Sequence, residues 1–368
     1  MKVDEKAVSE DSMDMNKVIE EPSCFTINRR KRIREVFKKQ IFNDEKFILV
    51  VDDDDKVMGI VTDGDFRRSV WNSVSLDDSV DLIANRNFIY LSEKDDKNKV
   101  REIFEKKEVN QIPILKDGIL VDLIFRKAFS KNEIKPEKEK LDVPVVIMAG
   151  GSGTRLDPFT RVLPKPLIPI GEKPVIEIII DKFVESGAQL FYLSLHHKAK
   201  MIKAFFEEVV RTYSIFFIEE EKPLGTAGAL RFLRGKVTKP IIVSNCDTII
   251  EADYNKILDF HNKNEYLLTL VASMHHHVIP YGVCEIQNGG ELAGLKEKPE
   301  YDVLINTGMY IVSPGVLDFI PEDKKFDITE LVDVLKQNKL RVGVYPIPEK
   351  SWIDVGQWEE YRKAARSM

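Results

Sequence analysis

The sequence predicts an α/β protein: a doubly wound, mostly parallel sheet in its C-terminal part, and a duplicated small α/β module in front of it. Three observations lead there. From about Val143 onward, apolar strand-like runs alternate with amphipathic helical stretches, the order that produces parallel strands with helices on both faces. Between Ser23 and Ser130 one pattern, helix–strand–turn–strand, occurs twice at a spacing of roughly sixty residues. Finally, the apolar run Val143–Met148 leads straight into a glycine-rich loop, where sheets of this kind present ligands.

The composition is compatible with this class and excludes several others. The chain has 368 residues, 43% apolar and 32% charged, which is ordinary for a globular protein of two or three domains. Its net charge is −6. Lys and Arg number 28 against 31 Asp and Glu up to Asp142, and 27 against 30 after it. Neither part has the basic excess of a nucleic-acid-binding domain. Cys24, Cys246 and Cys284 are an odd, scattered set, which argues against both a disulfide framework and a cysteine-based zinc site. The first residues are acidic and lack a signal-peptide apolar run, and no eighteen apolar residues run together. The expectation is a cytoplasmic protein without a membrane span.

Taken in order, residues 1–20 are polar and aperiodic and read as a flexible tail. The first copy of the repeat, about residues 21–75, has a helix over Arg32–Phe42 and strands at Phe47–Val51 and Val57–Val61 around the turn Asp52–Lys56. A short helix is expected from Asp65. The second copy, about residues 80–131, has a helix over Asp96–Lys106 and strands at Gln111–Leu115 and Ile119–Ile124 around Lys116-Asp117-Gly118. Residues 132–142 are charged and lie among prolines, which reads as a linker to a domain over 143–368. In that domain strands are expected at Val143–Met148, Gln189–Ser194, Ser214–Ile218 and Pro240–Ser244. Helices are expected at Lys173–Ser186, Lys198–Arg211, Thr226–Arg234, Asp253–Asn262 and Gly356–Arg366.

The chemistry concentrates after the strand at Val143–Met148, in Ala149-Gly150-Gly151-Ser152-Gly153-Thr154-Arg155. Glycines let a backbone approach a ligand and aim its amides at phosphate oxygens. Arg155 at the loop's end and Lys165, set between Pro164 and Pro166, supply two fixed cations. Two phosphates brought together against their repulsion need such a pair. The string GGSGTRLxPxT…PKP resembles the signature of the sugar-1-phosphate nucleotidyltransferases, and the resemblance extends to the C-terminus. It implies that Ala149, Gly150, Gly151, Gly153 and Thr154 contact nucleotide. It also implies that Arg155 clamps the leaving pyrophosphate and that Lys165 contacts the α-phosphate and the sugar phosphate.

Asp247 follows the apolar strand Pro240–Val243, and Asp354 lies in Trp352-Ile353-Asp354-Val355-Gly356. Both match the family's Mg²⁺ positions, and Mg²⁺ commonly takes one or two carboxylates plus phosphate oxygens and water. The same resemblance assigns Glu297 to the sugar, Lys298 to its phosphate, and Gly282, Asn306 and Thr307 to the sugar pocket. It assigns Gly225 and Thr226, in the PLGTAGAL string, to the base pocket. That string is common among guanylyltransferases for mannose- and heptose-type sugars and occurs in some uridylyltransferases.

Other features read as structural. His275-His276-His277 follows an apolar strand, where neighbouring side chains point to opposite faces, so the three cannot surround one ion. His196-His197 reads as a helix start, and Arg29–Arg34 as a solvated basic face.

In the front module, Val57-Met58-Gly59-Ile60-Val61-Thr62-Asp63-Gly64-Asp65 resembles the end of a CBS motif, so the repeat resembles a CBS pair. The resemblance implies that Thr62 and Asp65 contact the ribose of an adenine nucleotide. In the second copy Phe125 and Ala128 occupy the corresponding places, leaving one conventional site at most. A CBS pair joined to a transferase of this type resembles the glucosamine-1-phosphate guanylyltransferases of legionaminic acid synthesis. The expected reaction is therefore GTP + glucosamine 1-phosphate → GDP-glucosamine + pyrophosphate in a homo-oligomer. GDP-mannose, GDP-heptose or UDP-sugar synthesis is the enzymatic alternative, and a non-catalytic nucleotide-sugar-binding subunit the other.

Overall fold

The computed structural model describes residues 22–40, 47–95, 98–107, 109–126, 140–151, 153–208, 210–322 and 324–367. The chain divides into two compact units, Met1–Lys135 and Pro136–Met368.

The first unit carries the duplication in its backbone. Thr26–Asn28 pairs in parallel with Phe47–Val51, which forms an antiparallel hairpin with Val57–Thr62. Leu91–Ser92, Gln111–Lys116 and Ile119–Phe125 repeat that order and those directions. Side chains alternate between faces along a strand, so each copy has two apolar sides. Ile48 and Val50 pack with Val36 and Val61 of their own copy and with Val80, just beyond it. Phe47, Leu49 and Ile60 meet Leu115, Leu120 and Leu123 of the other copy. Each such buried side chain contributes roughly 1.5–3 kcal/mol, which neither small copy could collect alone. The basic run is tied up locally: Arg30 pairs with Asp53, Lys31 with Glu35, and Arg32 and Arg34 with Asp77.

The second unit is built on a seven-stranded sheet in the spatial order Ser214–Glu219, Leu190–Leu195, Val145–Met148, Ile241–Asn245, Glu300–Val312, Leu268–Val278, Val342–Pro348. Its strands share one direction except Glu300–Val312, which is antiparallel to both neighbours. The doubly wound, mostly parallel sheet is therefore present, as a mixed sheet with one reversed strand. Val145 and Ile147 face a core shared with Ile176, Ile180 and Phe183, while Val146 and Val243 face Leu230, Leu331 and Leu335 on the other side.

The helices follow their sequence signals. Val175–Glu185 starts directly after Pro174 and buries Val175, Ile176, Ile179, Ile180 and Phe183. That spacing is one face of a 3.6-residue period. Tyr254–Lys263 is capped by Asp253, whose side chain accepts from the Lys256 amide at 3.2 Å. The helix expected over Thr226–Arg234 is instead one α-turn, Gly225–Gly228, followed by a 3₁₀ stretch, Ala229–Leu233. Residues 132–139 of the expected linker lie outside the described residues. Its end belongs to the folded domain: Leu141 is buried, its amide donates to Ser186 O at 3.0 Å, and Asp142 pairs with Lys239.

Candidate active site

Three of the residues singled out for catalysis and metal binding converge at the carboxyl ends of the central strands. Asp247 follows the strand Ile241–Asn245 and immediately precedes Thr248–Ile250. That short strand pairs antiparallel with Trp352–Asp354, so Thr248 stands opposite Asp354. The Val355 amide donates to Asp247 O at 2.9 Å and the Gly356 amide to Asp354 Oδ1 at 2.8 Å. Lys165 forms an ion pair with Asp247, both side chains being about nine-tenths buried. Gly356 sits among all three groups. A Cβ there would overlap Asp247 Oδ2 and lie 2.9 Å from Asp354 Oδ1 and 3.0 Å from Lys165 Nζ. Only glycine leaves room for this arrangement.

The glycine loop wraps the same lysine. Gly153 has φ +70°, and a Cβ on it would stand 2.9 Å from Lys165 Cβ and 2.8 Å from Thr160 Cγ2. Thr154 and Arg155 follow in a 3₁₀ turn, Thr154–Leu156, with Arg155 exposed. Ala149 is buried, and its amide donates to Ser194 O at 2.9 Å, so its side chain belongs to the core rather than to a ligand. Gly151 has open space around it.

Gly150 rests on a residue that sequence reasoning missed. Glu220 is 8% exposed and accepts from the Ser194 hydroxyl and, at 2.8 Å, from the Leu224 amide. A Cβ on Gly150 would be 3.0 Å from Glu220 Oε1. His196 Nδ1 lies 2.8 Å from Glu220 O, so this histidine supports the loop from behind. One buried carboxylate thus joins the glycine loop to the start of the PLGTAGAL segment.

In that segment Gly225 has φ +81° and packs against Asp327 and the Phe326 carbonyl. The Thr226 amide donates to Asp327 Oδ1 at 2.9 Å, and the Thr226 hydroxyl accepts from the Ile328 amide at 2.9 Å. The Thr226 amide first, and then the Lys325 charge, hold the Asp327 carboxyl below its usual range. The Thr226 hydroxyl thus caps the helix Ile328–Gln337.

On the side assigned to the sugar, Gly282 and Glu297 lie together: a Cβ on Gly282 would be 3.1 Å from Glu297 Oε2. Lys298 follows with φ +44°. Asn306 donates to Tyr310 Oη at 2.8 Å and accepts from the Gly308 amide at 3.2 Å. Thr307 is 2% exposed, and its hydroxyl donates to Val271 O at 2.8 Å. Its hydroxyl anchors the bulge between the strands Leu268–Val278 and Glu300–Val312.

The histidine triplet alternates as expected. His276 meets Asp302 at 2.7 Å on one face, while His275 packs edge-on to Trp352 on the other. Among the described residues no three His, Cys, Asp or Glu side chains form a metal-holding group. A cation at Asp247 and Asp354 would therefore complete its shell with substrate oxygens and water. Cys246, beside Asp247, is pushed up to about 12, first by burial and then by the Asp247 charge, so it stays a thiol. In the first unit Thr62 and Asp65 meet each other. Asp65 Oδ2 accepts from the Thr62 amide at 2.9 Å, and Asp65 Oδ1 from Arg68 at 2.6 Å, forming a capping box on the helix Asp63–Trp71.

With this geometry in view, residues 144–368 match the family described as nucleotidyl transferase. The chain belongs to the nucleotidyl transferase family. Residues 18–72 match the CBS domain, and the strand order of Leu91–Phe125 repeats that copy. Among similar proteins, the mannose-1-phosphate guanyltransferase of Debaryomyces hansenii is 33% identical over 227 residues, covering 59% of this chain and 62% of its own length. The UTP–glucose-1-phosphate uridylyltransferase of Synechocystis is 27% identical over 243 residues, covering 61% and 62%. This nucleotidyl transferase therefore spans about 62% of the length of the curated relatives it matches. Among solved structures, HddC from Yersinia pseudotuberculosis is 28% identical with a TM-score of 0.49, covering 61% of this chain and 99% of its own. No helix among the described residues is long and apolar enough to cross a membrane.

Proposed function

We propose that this nucleotidyl transferase joins a sugar 1-phosphate to a nucleoside triphosphate. A phosphate oxygen of the sugar attacks the α-phosphorus, the bond from that phosphorus to the bridging oxygen breaks, and pyrophosphate leaves. The observation that carries this reading is the convergence of Lys165, Asp247 and Asp354 on Gly356 beneath the glycine loop. Lys165 would lie where two phosphates meet, and its charge would offset their repulsion as the new bond forms. Arg155, exposed at the loop's end, is suited to the departing pyrophosphate. Asp247 and Asp354 would hold Mg²⁺, which screens the phosphate charge when bound.

GTP with glucosamine 1-phosphate is the favoured pair. The PLGTAGAL string, the CBS fusion and the guanyltransferase relatives support guanine, and the carboxylate of Glu297 suits a hydroxyl- and amine-bearing ring. Uridine is the second reading, favoured by the uridylyltransferase relative. A matrix of GTP, UTP, ATP and dTTP against glucosamine, mannose and glucose 1-phosphates, scored by pyrophosphate release, tests both. Fastest turnover with GTP and glucosamine 1-phosphate is expected. No release from any pair would favour a binding subunit.

A further inference from the structure

The helix Trp358–Ser367 begins four residues after Asp354 and touches the loop bearing Lys165 at both of its ends. Trp358 Nε1 donates to the main-chain carbonyl of Asp157 at 3.0 Å. Tyr361 Oη donates to the main-chain carbonyl of Pro169 at 2.8 Å. Between these two points the chain carries Lys165, and Arg155 stands two residues before the first. Trp358 and Tyr361 lie three apart, hence on one helix face. That face is filled by Phe159, whose ring centroid is 5.0 Å from Trp358 and 6.1 Å from Tyr361. Further along the helix, Ala364 is buried in the core. Lys198 grips the middle of the segment from elsewhere, donating to Thr160 O at 2.9 Å and Arg161 O at 2.7 Å.

We infer that Trp358 and Tyr361 are positioning residues that fix the path of residues 157–169 relative to Asp354. The inference rests on the reading of Arg155 and Lys165 as the phosphate-handling cations. Both acceptors are backbone carbonyls, so the two bonds constrain where the chain runs rather than any one side chain. Asp354, Gly356, Trp358 and Tyr361 form one short continuous stretch. Through it the carboxylate and the two cations keep a common spacing. A single, partly solvated hydrogen bond adds little to global stability. Misplacing a reacting group by about 1 Å, in contrast, can cost about 100-fold in rate.

The test uses the full chain with Trp358→Phe, Tyr361→Phe and the double variant, which keep the rings and delete the donors. Two readouts are needed. Hydrogen exchange of the peptide spanning residues 155–169 should quicken, by roughly fivefold for each lost bond, with the melting temperature nearly unchanged. With the best substrate pair, kcat should fall about tenfold or more in the double variant while both KM values stay within about twofold. In a Lys165→Ala background the same changes should cost clearly less, since the part that acts through Lys165 is already lost and only the part through Arg155 remains. A merely structural role would instead lower the melting temperature and give the same loss in both backgrounds. Unchanged exchange in residues 155–169, or unchanged kcat in an active enzyme, overturns the inference. Quickened exchange in the variants, with a wild-type chain that releases no pyrophosphate, would leave the clip in place and reject the catalytic reading.

Discussion

Lys165 donates to the carboxylate of Asp247 across 82 residues of sequence, and neither side chain is more than 11% exposed. In the proposed reaction that lysine must leave a carboxylate to reach a phosphate. The pair is therefore the resting partner of a cation whose work lies elsewhere. Lys165→Ala should lower kcat by about 100-fold or more, by analogy with removal of a transition-state donor. Pyrophosphate release checks the rate and a thermal melt checks the fold. Near-normal kcat would remove Lys165 from the reaction.

Asp247→Asn and Asp354→Asn should each raise the Mg²⁺ concentration needed for half-maximal rate by tenfold or more, because a neutral amide holds a hard dication poorly. A Mg²⁺ titration identical to wild type would exclude either residue as a ligand.

Gly356→Ala should inactivate the enzyme more than it unfolds it. The added methyl group enters the space shared by Asp247, Asp354 and Lys165. Overpacking of this kind costs about 1–3 kcal/mol of stability, measurable by urea unfolding. The activity loss should be several hundredfold. A fully active Gly356→Ala enzyme would mean the three groups are not held as described.

His261 is 1% exposed, with Nδ1 2.9 Å from Thr269 Oγ1 and Nε2 2.9 Å from Ser313 Oγ. Burial lowers it from 6.5 to about 4. Between those values the unfolded chain binds a proton that the folded chain refuses. The histidine's contribution is therefore intact above 6.5 and is lost as the pH falls toward 4. The full loss is roughly 3 kcal/mol. His261→Gln should flatten the decline of unfolding free energy over that window, and parallel curves for variant and wild type would refute the assignment.

Adenine nucleotide at the front module is a further proposal. Thr62 and Asp65 are occupied with each other and with Arg68, so a ribose would have to displace the Arg68 bond. Calorimetric titration of AMP, ADP and ATP into the full chain should show at most one site, weakened by Asp65→Asn. Binding that ignores this substitution would place the nucleotide elsewhere.

What the sequence made readable was local. The two copies of the front module, the strand Val145–Met148 and its glycine loop are each declared by residues close together in the chain. Glu220 is not legible in the sequence because its meaning comes from Ser194, 26 residues away, and from the back of Gly150. Thr226 and Thr307 are ambiguous in the sequence for the converse reason. A threonine in a motif looks the same whether its hydroxyl faces a substrate or an amide of its own chain. The strand Glu300–Val312 is hard to read because the apolar Tyr301, Val303 and Leu304 of its first half are exposed, while only Thr307–Val312 is continuously buried.

That reversed strand also dictates an order of assembly. Leu268–Val278 and Val342–Pro348 reach the other four strands only through Glu300–Val312, the last but one of the sheet strands in sequence. Leu268–Val278 therefore precedes in the chain the strand that must join it to Ile241–Asn245. Hairpin closure between 268–278 and 300–312 has to come before the sheet can be completed. Contacts of such long sequence separation are slow to form, because the loop entropy is lost before the pairing is gained. The edge of Ile241–Asn245 stays open during that interval, and an open edge is where another unfinished chain can pair. Crowded refolding should therefore fail at this seam first, leaving aggregates whose cross-links join residues 241–245 of different molecules.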